Sequence, residues 1–166
     1  MIWITSFYLI VHYNKIRHIS EIQKYEVKEQ IERQHESLER VIQNSRDWSS
    51  MNEVQKKYTL LAAKMEWDYE VDIEYKYRYS SSLIYRQHPY YKQILDLGKP
   101  IVPYLFYDLR KNRSYPACLL SDILPDVSKK LGEIYGNKSY PHDFNITKSL
   151  WLRWWDDSGS KLDWTR

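Results

Sequence analysis

From His88 to Leu109 the chain reads HPYYKQILDLGKPIVPYLFYDL, and its punctuation leaves little choice of local structure. Pro89 suits the first position of a helix, where its missing N–H is not needed. Tyr91, Ile94 and Leu95 then form an apolar face. Gly98 falls where a helix end wants a residue with positive φ. A second helix opens around Pro100, accepts Pro103 in its first turn, and buries Val102, Leu105, Phe106 and Leu109. Two helices joined by about three residues make an αα-hairpin. His88, Pro89, Tyr91, Gly98, Pro103 and Leu109 are therefore read as structural residues.

Helical periodicity recurs along most of the chain, so the expected fold class is all-α, a compact multi-helix domain. Residues 20–44 predict a helix capped by Ser20, with Val27, Ile31, Leu38, Val41 and Ile42 on one stripe. The stripe is narrow, as in a helix that packs along one neighbour or a coiled-coil partner. Ser50 with Glu53 has the spacing of a capping box, and Val54, Tyr58, Leu61 and Met65 line the helix behind it. A further helix is expected over Pro116–Leu124, stopped by Pro125. The stretch after it reads as loop-rich, with at most a turn of helix in SKKLGEIYG. Asn145 is a cap for a closing helix that buries Ile146, Leu150 and Trp154. On that register Trp151 flanks the buried face, Trp155 turns towards solvent, and Gly159 ends the helix. The chain divides on this reading into an apolar extension (1–19), an amphipathic helix (20–48), a helical core (50–159) and a tail (160–166).

EWDYEVDIEYKYRY, residues 66–79, alternates charged with apolar or aromatic side chains. The alternation fits a strand, and the apolar run at the N-terminus offers a partner for a small two-stranded element. The apolar stripe of the preceding helix also continues through Tyr69 and Ile73, which favours helix. On a helix Glu66 and Glu70 share a face, and facing carboxylates bind divalent metal or share a proton. The His three residues after a Glu that such sites often use is missing, so no metal site is assigned.

The opening run MIWITSFYLIVHY is shorter than the roughly 20 apolar residues that span a bilayer. It lacks the basic start and small-residue cleavage site of a signal peptide. It reads as a packed segment, an extension from an upstream start codon, or a surface anchor helped by Lys15 and Arg17. No membrane span is expected. A single cysteine, Cys118, forms no internal disulfide and suits a reduced, cytoplasmic setting. The formal net charge of +3 is too small to point to nucleic acid. Sixteen Tyr and seven Trp supply most of the aromatic weight, with side chains suited to half-buried positions and interfaces.

Candidate chemistry is sparse. His88 and His142 are the catalytic candidates, His142 with Asp143 as orienter, yet each sits where a cap or turn residue is wanted. Cys118 lies on an apolar face and reads as an inert thiol. No phosphate loop, dinucleotide fingerprint, zinc spacing or nucleophile elbow is present, and no cofactor or small-molecule ligand is assigned. Three functions are carried forward. The first is a non-enzymatic partner protein, with Trp155, Trp151, Arg110 and Lys111 as binding residues. The second is nucleic-acid binding through Lys99, Arg110, Lys111 and Arg113 beside Tyr104, Tyr107 and Tyr115. The third is a metal-assisted hydrolase built on Glu66, Glu70 and His88.

Ser80–Leu109 also resembles an uncharacterised family of small bacterial helical proteins, seen as well on mobile elements. Its core is a Ser pair, then H-P-x-Y-x-x-I-[IL]-x-x-G, then P-x-[IL]-[LF]-x-x-L. SLWLRWWDDSG resembles the family's closing W-L-x-W helix, and the likeness extends over roughly residues 55–159. YPACLLSDILPDV stands where the family has a Trp-rich helix and a Gly-containing turn. The resemblance implies no catalytic role. It implies an interaction or antitoxin-like role beside a neighbouring gene product. The hairpin is similar, too, to one HEAT-type unit, although a solenoid needs about three repeats and no second copy is found.

Overall fold

Ile31, His35, Leu38 and Ile42 recur at helical spacing, and they are the covered side of α1 (residues 25–43). The computed structural model describes residues 25–71, 85–134 and 144–165. The chain divides into two units, Met1–Ser45 and Arg46–Arg166. In the first, α1 carries Lys28–Glu32 and Glu36–Arg40 ion pairs one turn apart on its exposed surface. Val27 and Val41, expected on the buried stripe, are 56% and 68% exposed. The buried polar residue on that side is His35, which the apolar pattern alone does not reveal. Ser20 lies outside the described residues.

The second unit begins with a 3₁₀ turn at Trp48–Ser50, followed by α2 (Glu53–Val71). The cap differs from the expected one. Asn52 Oδ1 accepts from the Gln55 N–H at 2.8 Å, while Ser50 Oγ turns back to donate to the Asp47 carbonyl. Asn and Ser cap about equally well, and Asn52 stands directly before the first helical residue, so it takes the cap. Tyr58, Leu61, Ala62 and Met65 are buried along α2. Residues 66–71, the start of the alternating stretch, continue this helix, so they are not strand. Residues 72–79 and the apolar N-terminal run lie outside the described residues, and among the described residues there is no strand.

A helical turn at 85–87 leads into α3 (Pro89–Leu95), the 3₁₀ turn Lys99–Ile101 and α4 (Val102–Arg110). The two helices and the short turn between them stand where the sequence placed them. His88 is the N-cap of α3, Pro89 is the first helical residue and Pro103 sits in the first turn of α4. Gly98 has φ 68° and ψ −154°. The positive φ agrees with expectation, but the ψ takes the residue out of the left-handed helical basin into a region only Gly occupies readily. Ile94, Ile101, Val102, Leu105, Phe106 and Leu109 are fully buried.

α4 ends in a Schellman turn. Asn112 takes φ 66°, its N–H bonds the Leu109 carbonyl, and the Arg113 N–H bonds the Asp108 carbonyl. α5 (Tyr115–Ile123) follows, then α6 (Pro125–Ile134). The ten residues of α6 replace the expected loop. Pro125 does not merely stop α5; it starts α6, with Asp126 favourable in the first turn and Leu131 buried. α7 (Phe144–Asp157) closes the unit, followed by a 3₁₀ turn at Gly159–Lys161. Asn145 is already inside α7.

The register of α7 also differs from expectation. Trp151 is wholly buried, with Thr147 one turn before it, whereas Leu150 and Trp154 are half-buried flanks. Apolarity alone favoured the Ile146–Leu150–Trp154 row. The winning row passes through Thr147, because Trp151 fills the space between α7 and Phe106 of α4, ring centroids 6.2 Å apart. Residues 160–165 do not trail as a free tail, since Trp164 folds back to donate to the Gly159 carbonyl at 2.9 Å.

Candidate functional site

The Schellman turn at Asn112 aims Arg113 back over α4, and this creates the main polar centre of the second unit. Asp108 is 6% exposed although charged. Its Oδ2 accepts from Tyr58 on α2 at 2.6 Å and from Tyr115 on α5 at 2.8 Å. Its Oδ1 accepts from Arg113 Nη1 at 3.2 Å. Arg113 Nε reaches on to Glu66 at 3.0 Å. One carboxylate thus gathers three helices and a turn, and its charge is met by donors on both oxygens. Burial, then the nearby Tyr115 and Asp108, pushes the Tyr58 hydroxyl well above its ordinary pKa. Burial and the Asp108 charge do the same to Tyr115. Neither phenol is poised to ionise, and the cluster ties α2, α4 and α5 together.

A second carboxylate ties the hairpin to α5. Arg86 grips Asp122 with two parallel bonds, Nε at 3.0 Å and Nη2 at 2.7 Å, and the Tyr91 hydroxyl adds a third at 2.7 Å. Burial alone raises the Asp122 pKa, but bonds from Arg86 and Tyr91 outweigh it and hold the carboxyl below its usual range. Cys118 is half-buried nearby, and burial pushes its thiol up, which keeps it protonated and unreactive.

His88, the leading catalytic candidate, uses both ring nitrogens. Nδ1 accepts from the Tyr90 N–H at 3.2 Å and Nε2 faces Asp68 Oδ2 at 3.3 Å. The ring is a cap for α3 that also bridges to α2. His142 lies outside the described residues, as does the side chain of Glu70. Glu66 pairs with Arg113. Among the described residues no group of three His, Cys, Asp or Glu side chains is placed to hold a metal ion.

The residues grouped as a basic, aromatic edge do not share one face. Arg113 turns inward and Tyr115 is buried. Arg110 pairs with Asp156 at 2.5 Å, and Tyr104 accepts from Asn52. Lys111 lies 4.1 Å from the exposed Tyr107 ring, a pairing on the surface of α4.

Of the partner-binding candidates, Trp151 is enclosed and presents no surface. Trp155 is half-buried and stacks on Phe106, centroids 4.3 Å apart, and on Trp164 at 6.0 Å. Trp154 packs edge-on against Trp151 and Trp164. Gly159 lies directly under these rings; a Cβ there would meet Trp154 at 2.7 Å and Trp155 at 2.9 Å.

Sequence reasoning passed over Asp108, Asp122, Arg86 and the Tyr58 and Tyr115 hydroxyls. The one signal for Asp108 is its place three residues after Leu105 on the apolar side of α4. Nothing local marks which distant phenols reach it. Among the described residues no helix is long and apolar enough to cross a membrane. Comparison with family models, with curated proteins and with solved structures finds no match to this chain.

Proposed function

We propose that this chain is a non-enzymatic helical interaction protein, an accessory or antitoxin-like partner of a neighbouring gene product, as its hairpin's family likeness implies. The observation that carries the reading is on α1. Val27 and Val41 stand 56% and 68% exposed at the two ends of a stripe that runs through Ile31 and Leu38. Charged pairs border that stripe, an arrangement suited to receiving an apolar helix face. The polar centres of the second unit support the reading because each serves to join helices. The occupant is an amphipathic helix of the adjacent gene's product.

Co-expression with that product tests it. The tagged wild-type chain retains the partner through size exclusion, and Val27→Glu with Val41→Glu releases it while the melting of the protein is unchanged. A wild-type chain that elutes alone, or a double variant that binds as well as wild type, overturns the reading.

A further inference from the structure

The exposed stripe of α1 is not apolar throughout. Val27, Ile31, Gln34, Leu38 and Val41 follow one another at steps of four, three, four and three residues. That spacing makes a coiled-coil seam, one line of side chains along the helix. Gln34 stands at its centre, seven residues from each exposed valine. It is half-buried, and among the described residues its amide has no hydrogen-bond partner. The flanks of the seam carry little charge. Lys28, Gln30, His35, Ser37 and Ile42 lie beside it, and Lys28, the one fixed charge among them, is already paired with Glu32. Flanking ion pairs, the usual means by which such a helix selects its partner, are thus nearly missing from α1.

We infer that Gln34 is the specificity-determining residue of the α1 seam, and that the partner helix sets a carboxamide, Asn or Gln, opposite it between two aliphatic layers. The inference rests on the interaction reading and names what that partner carries. An amide that enters a seam loses water from both its NH2 group and its carbonyl. An aliphatic residue facing it leaves both unmet. A carboxylate would meet only the donors, and a lysine only the acceptor. A second carboxamide meets both, because each offers donors and an acceptor. Val27 and Val41 supply the apolar layers on either side. A partner shifted by one heptad would set its amide against a valine and an aliphatic residue against Gln34, so the polar layer penalises every register but one.

A double-mutant cycle between the full chain and the purified product of the adjacent gene tests this, with affinities read by titration calorimetry. Gln34→Leu should melt as wild type does and weaken binding about tenfold, because the partner's amide is left unpaired. Changing the facing Asn or Gln of the partner's helix to Leu should do the same. The two changes together should restore binding to the wild-type level or tighter, since an aliphatic layer then replaces the polar one. Single changes without effect, or no recovery in the double variant, overturn the inference. The interaction reading survives that outcome if Val27→Glu with Val41→Glu still releases the partner. A bound partner helix with no Asn or Gln also overturns the inference. So does loss of the cooperative melt in Gln34→Leu, which would make Gln34 part of the chain's own core. A wild-type chain that elutes alone, or as dimers of itself, overturns both the reading and the inference.

Discussion

The Tyr58 hydroxyl donates to the buried Asp108 carboxylate at 2.6 Å, joining α2 to α4 across fifty residues of chain. Asp108→Ala leaves two buried phenols and Arg113 without their acceptor. Arg113 is 38% exposed and regains some water, so the expected cost is at the low end for a broken buried pair, about 3 kcal/mol. Tyr58→Phe removes one donor and leaves Asp108 with Tyr115 and Arg113, for about 1–2 kcal/mol. Urea midpoints of the two variants check the order. A larger loss for Tyr58→Phe would contradict the arrangement.

The buried phenols fix the direction of alkaline unfolding. Burial raises Tyr85 to about 12 and lifts Tyr58, Tyr91 and Tyr115 as well. Above their unfolded value of about 10 the unfolded chain gives up protons that the folded chain keeps, so stability falls as pH rises. Below that pH their contribution is fully present. Asp122 has the opposite sign, with stability present above the ordinary carboxylate value and lost as pH drops through its lowered one. Urea titrations from neutral to strongly alkaline pH should show the steep loss beginning near pH 10 and less steep in Tyr58→Phe.

Gly98→Ala and Gly98→Val should cost nearly the same, about 1–3 kcal/mol, because the strain is in the backbone. The nearest atom to a Cβ there is Pro100 Cδ at 3.9 Å, ordinary contact, so size is not the difficulty. Melting curves of both variants measure it. An Ala variant as stable as wild type would show that the hairpin turn relaxes freely.

Trp151→Ala is expected to be the most damaging change among the α7 tryptophans, about 3–5 kcal/mol, as for a fully buried aromatic. Trp154→Ala and Trp155→Ala remove half-buried rings and should cost less. Chemical denaturation of the three variants ranks them, and a Trp154→Ala loss exceeding that of Trp151→Ala would restore the register that apolarity alone suggested.

The two helices on either side of Gly98 were legible in the sequence because their signals are local. Pro89, Gly98 and Pro103 restrict their own backbone, and His88 caps the helix that begins at the next residue. The helical class followed from periodicity for the same reason. The choice between Leu150 and Trp151 as the centre of α7 was not local, because apolarity favours the Leu150 row and the packing of Trp151 beside Phe106 on α4 goes with the other. Asn52 over Ser50 as cap turned on where the backbone first becomes helical, a matter of one or two residues that propensity does not resolve. The polar centres needed the tertiary structure altogether. Asp108 is charged and buried only because Tyr58, Tyr115 and Arg113 arrive from other parts of the chain to satisfy it. A sequence specifies which backbone torsions are cheap at each residue, and those are short-range. Which distant donors meet which acceptor is settled when helices pack, since an unpaired buried charge is too costly for any other packing to persist.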